Sequence, residues 1–371
     1  MARALATSPG RGAVRRPIRL MIVDDSMVAR AVLSRMISAD DSFEIAAIAA
    51  TAEAAIEALG QVTVDVVLLD LEMPGAGGLV SIPAILKAAR GAKVLIVSSL
   101  AEEGAEETVT ALRLGATDTL PKPGTGRFNG RFSEVLLERL HALGHADRGA
   151  PLPVAAALPV SAIRGDLPPL RAMSEDQLEL LAIGASTGGI HALGQLLAAL
   201  PASIGVPILV TQHLPAPFMG VFARQLAIAA NRPAVIAEDG MPLVPERIHI
   251  APGDAHLAVE LYRDRLVARL ERHKVASGCL PSVDPMFASA GAVLGSGALG
   301  VVLTGMGRDG TEGAAKLVAC GGAVIAQDEQ SSAVWGMPRA VAEAGLVSAI
   351  LPPDQIGALV GVRVAEAAPC K

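Results

Sequence analysis

The sequence predicts an α/β protein of two doubly wound parallel-sheet domains, the second carrying an antiparallel hairpin insertion. Three observations lead there. Short, continuously apolar runs recur between stretches of helical spacing, the pattern of strands covered on both faces by crossover helices. The chain has 371 residues, enough for two separate cores. The alternation is interrupted once, near the middle, by a proline-rich stretch.

From Ile18 onward, IRLMIVDD, FEIAAIAA, DVVLLD, KVLIVSS and TDTLPKP read as five strands. Helices are expected between them around 26–38, 52–60, 78–90 and 103–114, and after them around 132–143. The first domain is thereby bounded at 18–144, and a linker is expected over 145–173, where prolines recur and no period persists. The second domain, 174–366, begins with LELLAIGA. It continues with VPILVTQH, AVIAED, RIHIAP, LGVVLTGM and AVIAQD as strands, and helices near 189–200, 217–230, 283–294, 310–320 and 337–345. HLAVELYRDRLVARL reads as the hairpin, with charged residues at its turn. Residues 1–17 are Arg-rich without acids and lack a secretory apolar core; a disordered basic arm is expected.

Composition narrows the functions. Apolar residues make up 51% and charged residues 18%, so most of the chain should be packed. Aromatics at 2% and a net charge of −6 exclude a stacking platform or a broad phosphate-binding face, hence a nucleic-acid partner. No apolar run approaches the ~20 residues of a membrane span. Cys279, Cys320 and Cys370 match neither a disulfide framework nor a zinc motif and point to a reducing, cytoplasmic setting.

Ligands of open parallel sheets bind beyond the carboxyl ends of the strands. In the first domain those ends carry Asp24, Asp25, Asp70, Ser98 and Lys122. Three carboxylates on one rim repel one another unless a hard cation such as Mg²⁺ sits among them. A lysine and a hydroxyl at neighbouring strand ends could then meet a phosphoryl group on one of them. The ordered set VDDS, LLDLEMPGAGGL, VSS and PKP resembles flavodoxin-like response-regulator receiver domains. The resemblance implies that Asp70 accepts the phosphoryl group. It further implies Mg²⁺ held by Asp24, Asp25, Asp70 and the carbonyl of Glu72, with Ser98 and Lys122 sensing the phosphoryl group.

In the second domain, G-A-S-T-G at 184–188 places Ser186 on a tight strand-to-helix turn, the G-x-S-x-G pattern of an exposed nucleophile. The serine needs a base and an acid. Of seven histidines, His213 alone ends an apolar parallel strand, the strand following that of Ser186. Asp309 follows another buried strand in TGMGRDG, with Asp284 as its rival. Backbone N–H groups of Thr187 and Met306 are candidate oxyanion donors. The order Ser…His…Asp differs from that of the α/β-hydrolases.

IGASTGG, QH, APGDAHL, PSVDPMFASA, VVLTGMGRDG and VIAQDEQSSAVWGMPRAVAEAGL closely resemble the catalytic domain of chemotaxis protein-glutamate methylesterases, the CheB family. Ahead of PSVD many members carry a basic, His-containing segment, where this chain has ASGCL. The resemblance implies a phosphorylation-activated serine hydrolase with the triad Ser186, His213 and Asp309. Its substrates would be glutamate methyl esters on chemoreceptors, with deamidation of receptor glutamines, and no cofactor would serve the esterase. A chemotaxis-type histidine kinase would be the phosphodonor. A receiver-linked scaffold and a small-molecule esterase on the same fold are the alternatives.

Overall fold

The computed structural model describes residues 16–75, 77–98, 102–122, 130–145, 167–174 and 176–366. Most of the expected arm (1–15) and most of the expected linker (146–166) lie outside the described residues.

The first domain alternates strand and helix without exception: β1 (Ile18–Val23), α1 (Met27–Ile37), β2 (Phe43–Ala49), α2 (Ala52–Gln61), β3 (Val66–Leu69), α3 (Gly78–Ala88), β4 (Lys93–Ser98), α4 (Glu102–Arg113), β5 (Asp118–Pro121) and α5 (Gly130–His145). The five strands form one parallel sheet in the order β2-β1-β3-β4-β5. β3 reads VVLL and every residue is buried, as a strand covered on both faces requires. Ser26 and Thr51 cap α1 and α2, each accepting a hydrogen bond from the backbone N–H three residues on. Because all strands run the same way, Asp24, Asp70 and Lys122 leave the sheet at one edge.

The second domain follows with β6 (Leu180–Ala185), α6 (Gly189–Ala198), β7 (Ile208–Gln212), α7 (Ala216–Ala230), β8 (Ala234–Ile236) and β9 (Ile248–Ile250). The hairpin β10 (His256–Tyr262) and β11 (Arg265–Glu271) comes next, then α8 (Val283–Leu294), β12 (Ala298–Val302), α9 (Thr311–Ala319), β13 (Ala323–Gln327), α10 (Met337–Glu343), β14 (Ala349–Leu351) and α11 (Pro353–Glu366). Seven strands make a parallel sheet, β14-β13-β12-β6-β7-β9-β8, and the hairpin stands apart as an antiparallel pair. Its turn is Arg263–Asp264, both at positive φ (47° and 60°), as a two-residue primed turn demands. The chain moves from β6 to β7 on one side and later enters β12 on the other. β6 is therefore flanked by a topological switch point, the place where such sheets bind ligands.

Two elements were not read from the sequence. β14 is only three residues long, and a Pro-Pro pair, which ordinarily breaks a helix, follows it. Pro353 instead opens α11, at the helix position where a missing N–H costs nothing. The end of the expected linker also belongs to the second domain's surface. Leu167 and Met173 pack against its apolar clusters, and Arg171 donates its N–H to the Val347 carbonyl at 2.9 Å.

Helices α8 and α9 cross at a distance that only glycine permits. A Cβ on Gly291 would lie 2.7 Å from the Leu317 Cα, and one on Gly313 would lie 2.5 Å from the Asp284 carbonyl oxygen. The crossing locks the start of α8 beside the loop that leads into α9. Gly313→Ala should therefore lose about 1–3 kcal/mol through overpacking against backbone. Denaturant unfolding of the second domain measures it, and a loss within a few tenths of a kcal/mol contradicts the close crossing.

Candidate active site

At the edge of the first sheet, Asp24, Asp25 and Asp70 each place a carboxylate oxygen within 4.8 Å of the others. The Lys122 ammonium lies 2.7 Å from Asp70 Oδ2 and 3.0 Å from Asp24 Oδ2. Burial raises the Asp70 pKa, and Lys122 offsets the rise only in part. Burial would lower that of Lys122, but its hydrogen bonds to Asp70 and Asp24 outweigh it and hold the ammonium charged. The Glu72 N–H donates to Asp70 Oδ1 at 3.3 Å, keeping the backbone of residue 72 beside the pocket. Ser98 ends β4 and pairs with Pro121 of β5; its side chain lies outside what is described.

Ser186 follows β6 in a turn fixed on three sides. Its N–H donates to the Thr304 carbonyl at 3.0 Å, and Gln212 Nε2 donates to its carbonyl at 2.9 Å. Gly188, at φ +77°, caps α6, and a Cβ there would stand 2.4 Å from that of Ala333. No other residue meets both conditions at little cost. Gly305 lets the loop beyond β12 lie against the serine, since a Cβ there would be 2.7 Å from Ser186 Cβ. The backbone of Thr187 and of Met306 is thus carried to the serine from two directions, and Thr304 Oγ1 fixes the Thr187 carbonyl at 2.9 Å.

His213 follows β7 and lines the same cleft as Ser186. Its Nε2 meets Asp309 Oδ2 at 2.8 Å. A carboxylate only accepts, so Nε2 carries a proton in either state of the ring, and once the ring is neutral the free lone pair is on Nδ1. Asp309 is 1% exposed and accepts three further bonds, from Ser277 Oγ (2.8 Å), Ser282 Oγ (2.5 Å) and the Val283 N–H (2.7 Å). Burial alone would raise its pKa, but His213 and these donors hold the carboxyl far below its usual range. Burial likewise lowers the His213 pKa; the bond to Asp309 and the nearby Cys279 sulfur overcome this and push it up to about 9.

The remaining candidates have other partners. His191 bonds Gln195 one turn along α6, and His249 accepts from the Val244 N–H within the sheet. His256 accepts from the Ser282 N–H and bonds the His273 carbonyl, steadying the serine that bonds Asp309. Asp284 sits in the first turn of α8 and accepts from the Gly313 N–H at 2.7 Å; burial beside Asp309 raises its pKa. Ser277, Ser282 and Gln212 were not singled out from the sequence. Read residue by residue, the PSVD segment offers a role only for its aspartate, since hydroxyls that hold a carboxylate leave no periodic trace.

The first domain forms one wall of this cleft. The narrow cleft is lined by Ser186, Gly188, Gly189 and His213 on one side and by Leu112, Thr117 and Asp118 on the other. The Gly188 N–H donates to the Thr117 carbonyl at 2.7 Å, and Thr187 Oγ1 donates to Asp118 Oδ2 at 2.7 Å. Arg139 of α5 pairs with the same Asp118 oxygen. Gln225 of α7 bonds Thr110 of α4 at 2.9 Å, and Val109 and Leu112 share an apolar cluster with Ile190, Met219 and Phe222.

Comparison with known proteins places these two sites in context. The family profile described as CheB methylesterase matches residues 181–360, and the response regulator receiver domain profile matches residues 20–127. Protein-glutamate methylesterase/protein-glutamine glutaminase 2 of Caulobacter vibrioides is 41% identical over 355 residues, 95% of this chain and 100% of that one. The protein of Azospirillum brasilense named protein-glutamate methylesterase/protein-glutamine glutaminase is 40% identical, covering 92% of this chain and 91% of its own. The Thermotoga maritima CheB methylesterase catalytic domain is 34% identical over 50% of this chain and 98% of its own, with a TM-score of 0.48.

The His213 pairing has a readable consequence. A carboxylate beside the ring favours the imidazolium, so the NMR titration of His213 should have its midpoint near 9, and Asp309→Asn should lower it. The raised value stabilises the fold fully below pH 6.5, and that contribution is lost as pH rises towards about 9. A midpoint at or below 6.5 in the unsubstituted protein contradicts the pairing.

Proposed function

The chain belongs to the CheB family of receiver-linked methylesterases, and on that premise we propose that it hydrolyses glutamate γ-methyl esters on chemoreceptors under control of its own receiver domain. The observation that carries the reading is the His213–Asp309 pair at the rim of the cleft holding Ser186.

Ser186 Oγ attacks the ester carbonyl carbon while His213 Nδ1 takes its proton. Asp309 keeps the ring in the tautomer that leaves Nδ1 unprotonated and stabilises the imidazolium that forms. The N–H groups of Thr187 and Met306 receive the negative charge on the carbonyl oxygen. His213 returns the proton to the departing methoxide, releasing methanol, and then deprotonates the water that cleaves the acyl-serine. A glutamine side chain follows the same course with ammonia as the leaving group. No step calls for a metal in this domain.

In the receiver, Asp70 is the phosphoryl acceptor and a chemotaxis-type histidine kinase the donor. The three carboxylates within 4.8 Å are a donor set suited to Mg²⁺, which Asp24, Asp25, Asp70 and the Glu72 carbonyl would hold. Bound there, the cation neutralises charge at the phosphoryl group. Lys122 keeps its ion pair to Asp70 ready for the phosphoryl oxygens, and Ser98 is placed at the neighbouring strand end for the same role. No described helix is long and apolar enough to cross a membrane; an enzyme acting on the receptors' interior face works in the cytoplasm.

Control passes through β5. Just past its end, Lys122 reaches the acidic pocket; at its start, Thr117 and Asp118 hold the Gly188 N–H and the Thr187 hydroxyl. A phosphoryl group adds roughly −1.5 to −2 charges beside Lys122 and shifts the balance between closed and open arrangements. With the receiver in place, its Leu112, Thr117 and Asp118 wall the cleft by which a receptor segment would approach the serine.

Three outcomes test this. Ser186→Ala should cut methanol release from methylated receptor membranes at least about a thousandfold, whereas a serine that only packs would cost little. The double variant of His213 and Asp309 should be hardly slower than the worse single variant, because the pair acts as one unit; strictly additive losses contradict it. A truncation starting before Leu167, sparing the packed tail of the linker, should outpace the unphosphorylated full chain. A truncation as slow as that chain rules out closure by the receiver.

A further inference from the structure

A free thiol, that of Cys279, stands beside the catalytic pair, in the turn that leads into α8. Ser277 Oγ donates to Asp309 at 2.8 Å, the Cys279 N–H donates to Ser277 Oγ at 3.4 Å, and the Cys279 sulfur lies 3.9 Å from the Ser277 carbonyl. The turn is thus stitched to the buried carboxylate, and it brings a sulfur along. Cys279 Sγ, a ring nitrogen of His213 and a carboxylate oxygen of Asp309 all lie within 4.8 Å of one another. Tetrahedral zinc binds sulfur at ~2.3 Å and nitrogen or oxygen at ~2.0–2.2 Å, which sets its ligand atoms roughly 3.3–3.6 Å apart. Contraction by at most about 1.5 Å closes the set.

We infer that Cys279, His213 and Asp309 form a Zn²⁺ site whose occupation switches the esterase off, an inference that rests on reading His213 as the base. The donor set selects the metal. A thiolate and an imidazole prefer zinc to Mg²⁺, whereas the three carboxylates of the receiver prefer the hard cation, so the chain sorts two cations by softness. Binding replaces the thiol proton, which goes to solvent. Metal on His213 Nδ1 consumes the lone pair that Ser186 needs. Metal on Nε2 drives the ring proton onto Nδ1, with the same result. Either way the triad cannot start, and removal of the metal restores it without any covalent change.

The test uses the full chain, stripped of metal and titrated with Co²⁺ as a spectroscopic probe. Expected is a thiolate-to-cobalt charge-transfer band with tetrahedral ligand-field bands, displaced by Zn²⁺. The band should be absent from Cys279→Ser and intact in Cys320→Ser. The receiver's carboxylates cannot produce it. Saturating Zn²⁺ should slow methanol release at least about tenfold, and a chelator should restore it. Cys279→Ser, compared with its own metal-free rate, should resist. Absence of the band, or its persistence in Cys279→Ser, overturns the site. A Cys279-dependent band without loss of hydrolysis overturns the switch and leaves the assignment of His213 to its own substitution. A Ser186→Ala chain that gives the same band but no hydrolysis, together with zinc inhibition of the unsubstituted chain, supports both.

Discussion

A carboxylate as buried as Asp309 keeps its charge only if donors surround it, and the second domain supplies four: His213, Ser277, Ser282 and the Val283 backbone. Each comes from a different demand on the chain. The histidine must end β7, the serine and valine must open α8, and Ser277 must bring its turn back across the rim. The glycines where α8 meets α9 keep the two sides of this arrangement at a fixed distance. Loss of one donor would leave a buried charge short of partners, which is costly. The catalytic pair and the local packing are therefore one structure.

The same economy governs the link between the domains. β5 is four residues long, so a single strand, about 13 Å of backbone, separates the acidic pocket from the turn of Ser186. Beside the apolar contacts of α4, the receiver offers a carbonyl and a carboxylate to groups on the turn that would otherwise face water. Such bonds are modest in net worth, about 1 kcal/mol each. A few of them, with the α4 contacts, make an interface that can hold and still release.

Much of this was legible in the sequence because parallel strands declare themselves. Fully apolar runs such as VVLL and LLAIGA placed the sheets, and the residues just beyond them placed Asp70, Ser186, His213 and Asp309. β14 and α11 escaped because a three-residue strand has no measurable period and a proline pair reads as a stop. Ser277, Ser282 and Gln212 escaped for another reason. Their part is to hold a functional group, and a hydroxyl or amide in a loop has no pattern until the fold brings its partner near. Thr117 and Asp118 were read only as strand residues, because contacts between domains carry no local signal at all.

The most direct test of the account is the rate at which a fluorophosphonate labels Ser186 in the full chain, measured before and after treatment with a small-molecule phosphodonor. Labelling reports both an activated serine and access to it. The account predicts slow labelling that rises at least about tenfold on phosphorylation, no rise in Asp70→Asn, and fast labelling without phosphodonor in Asp118→Ala. Labelling that is equally fast in all four cases would contradict closure of the site by the receiver, and labelling at a residue other than Ser186 would contradict the site itself.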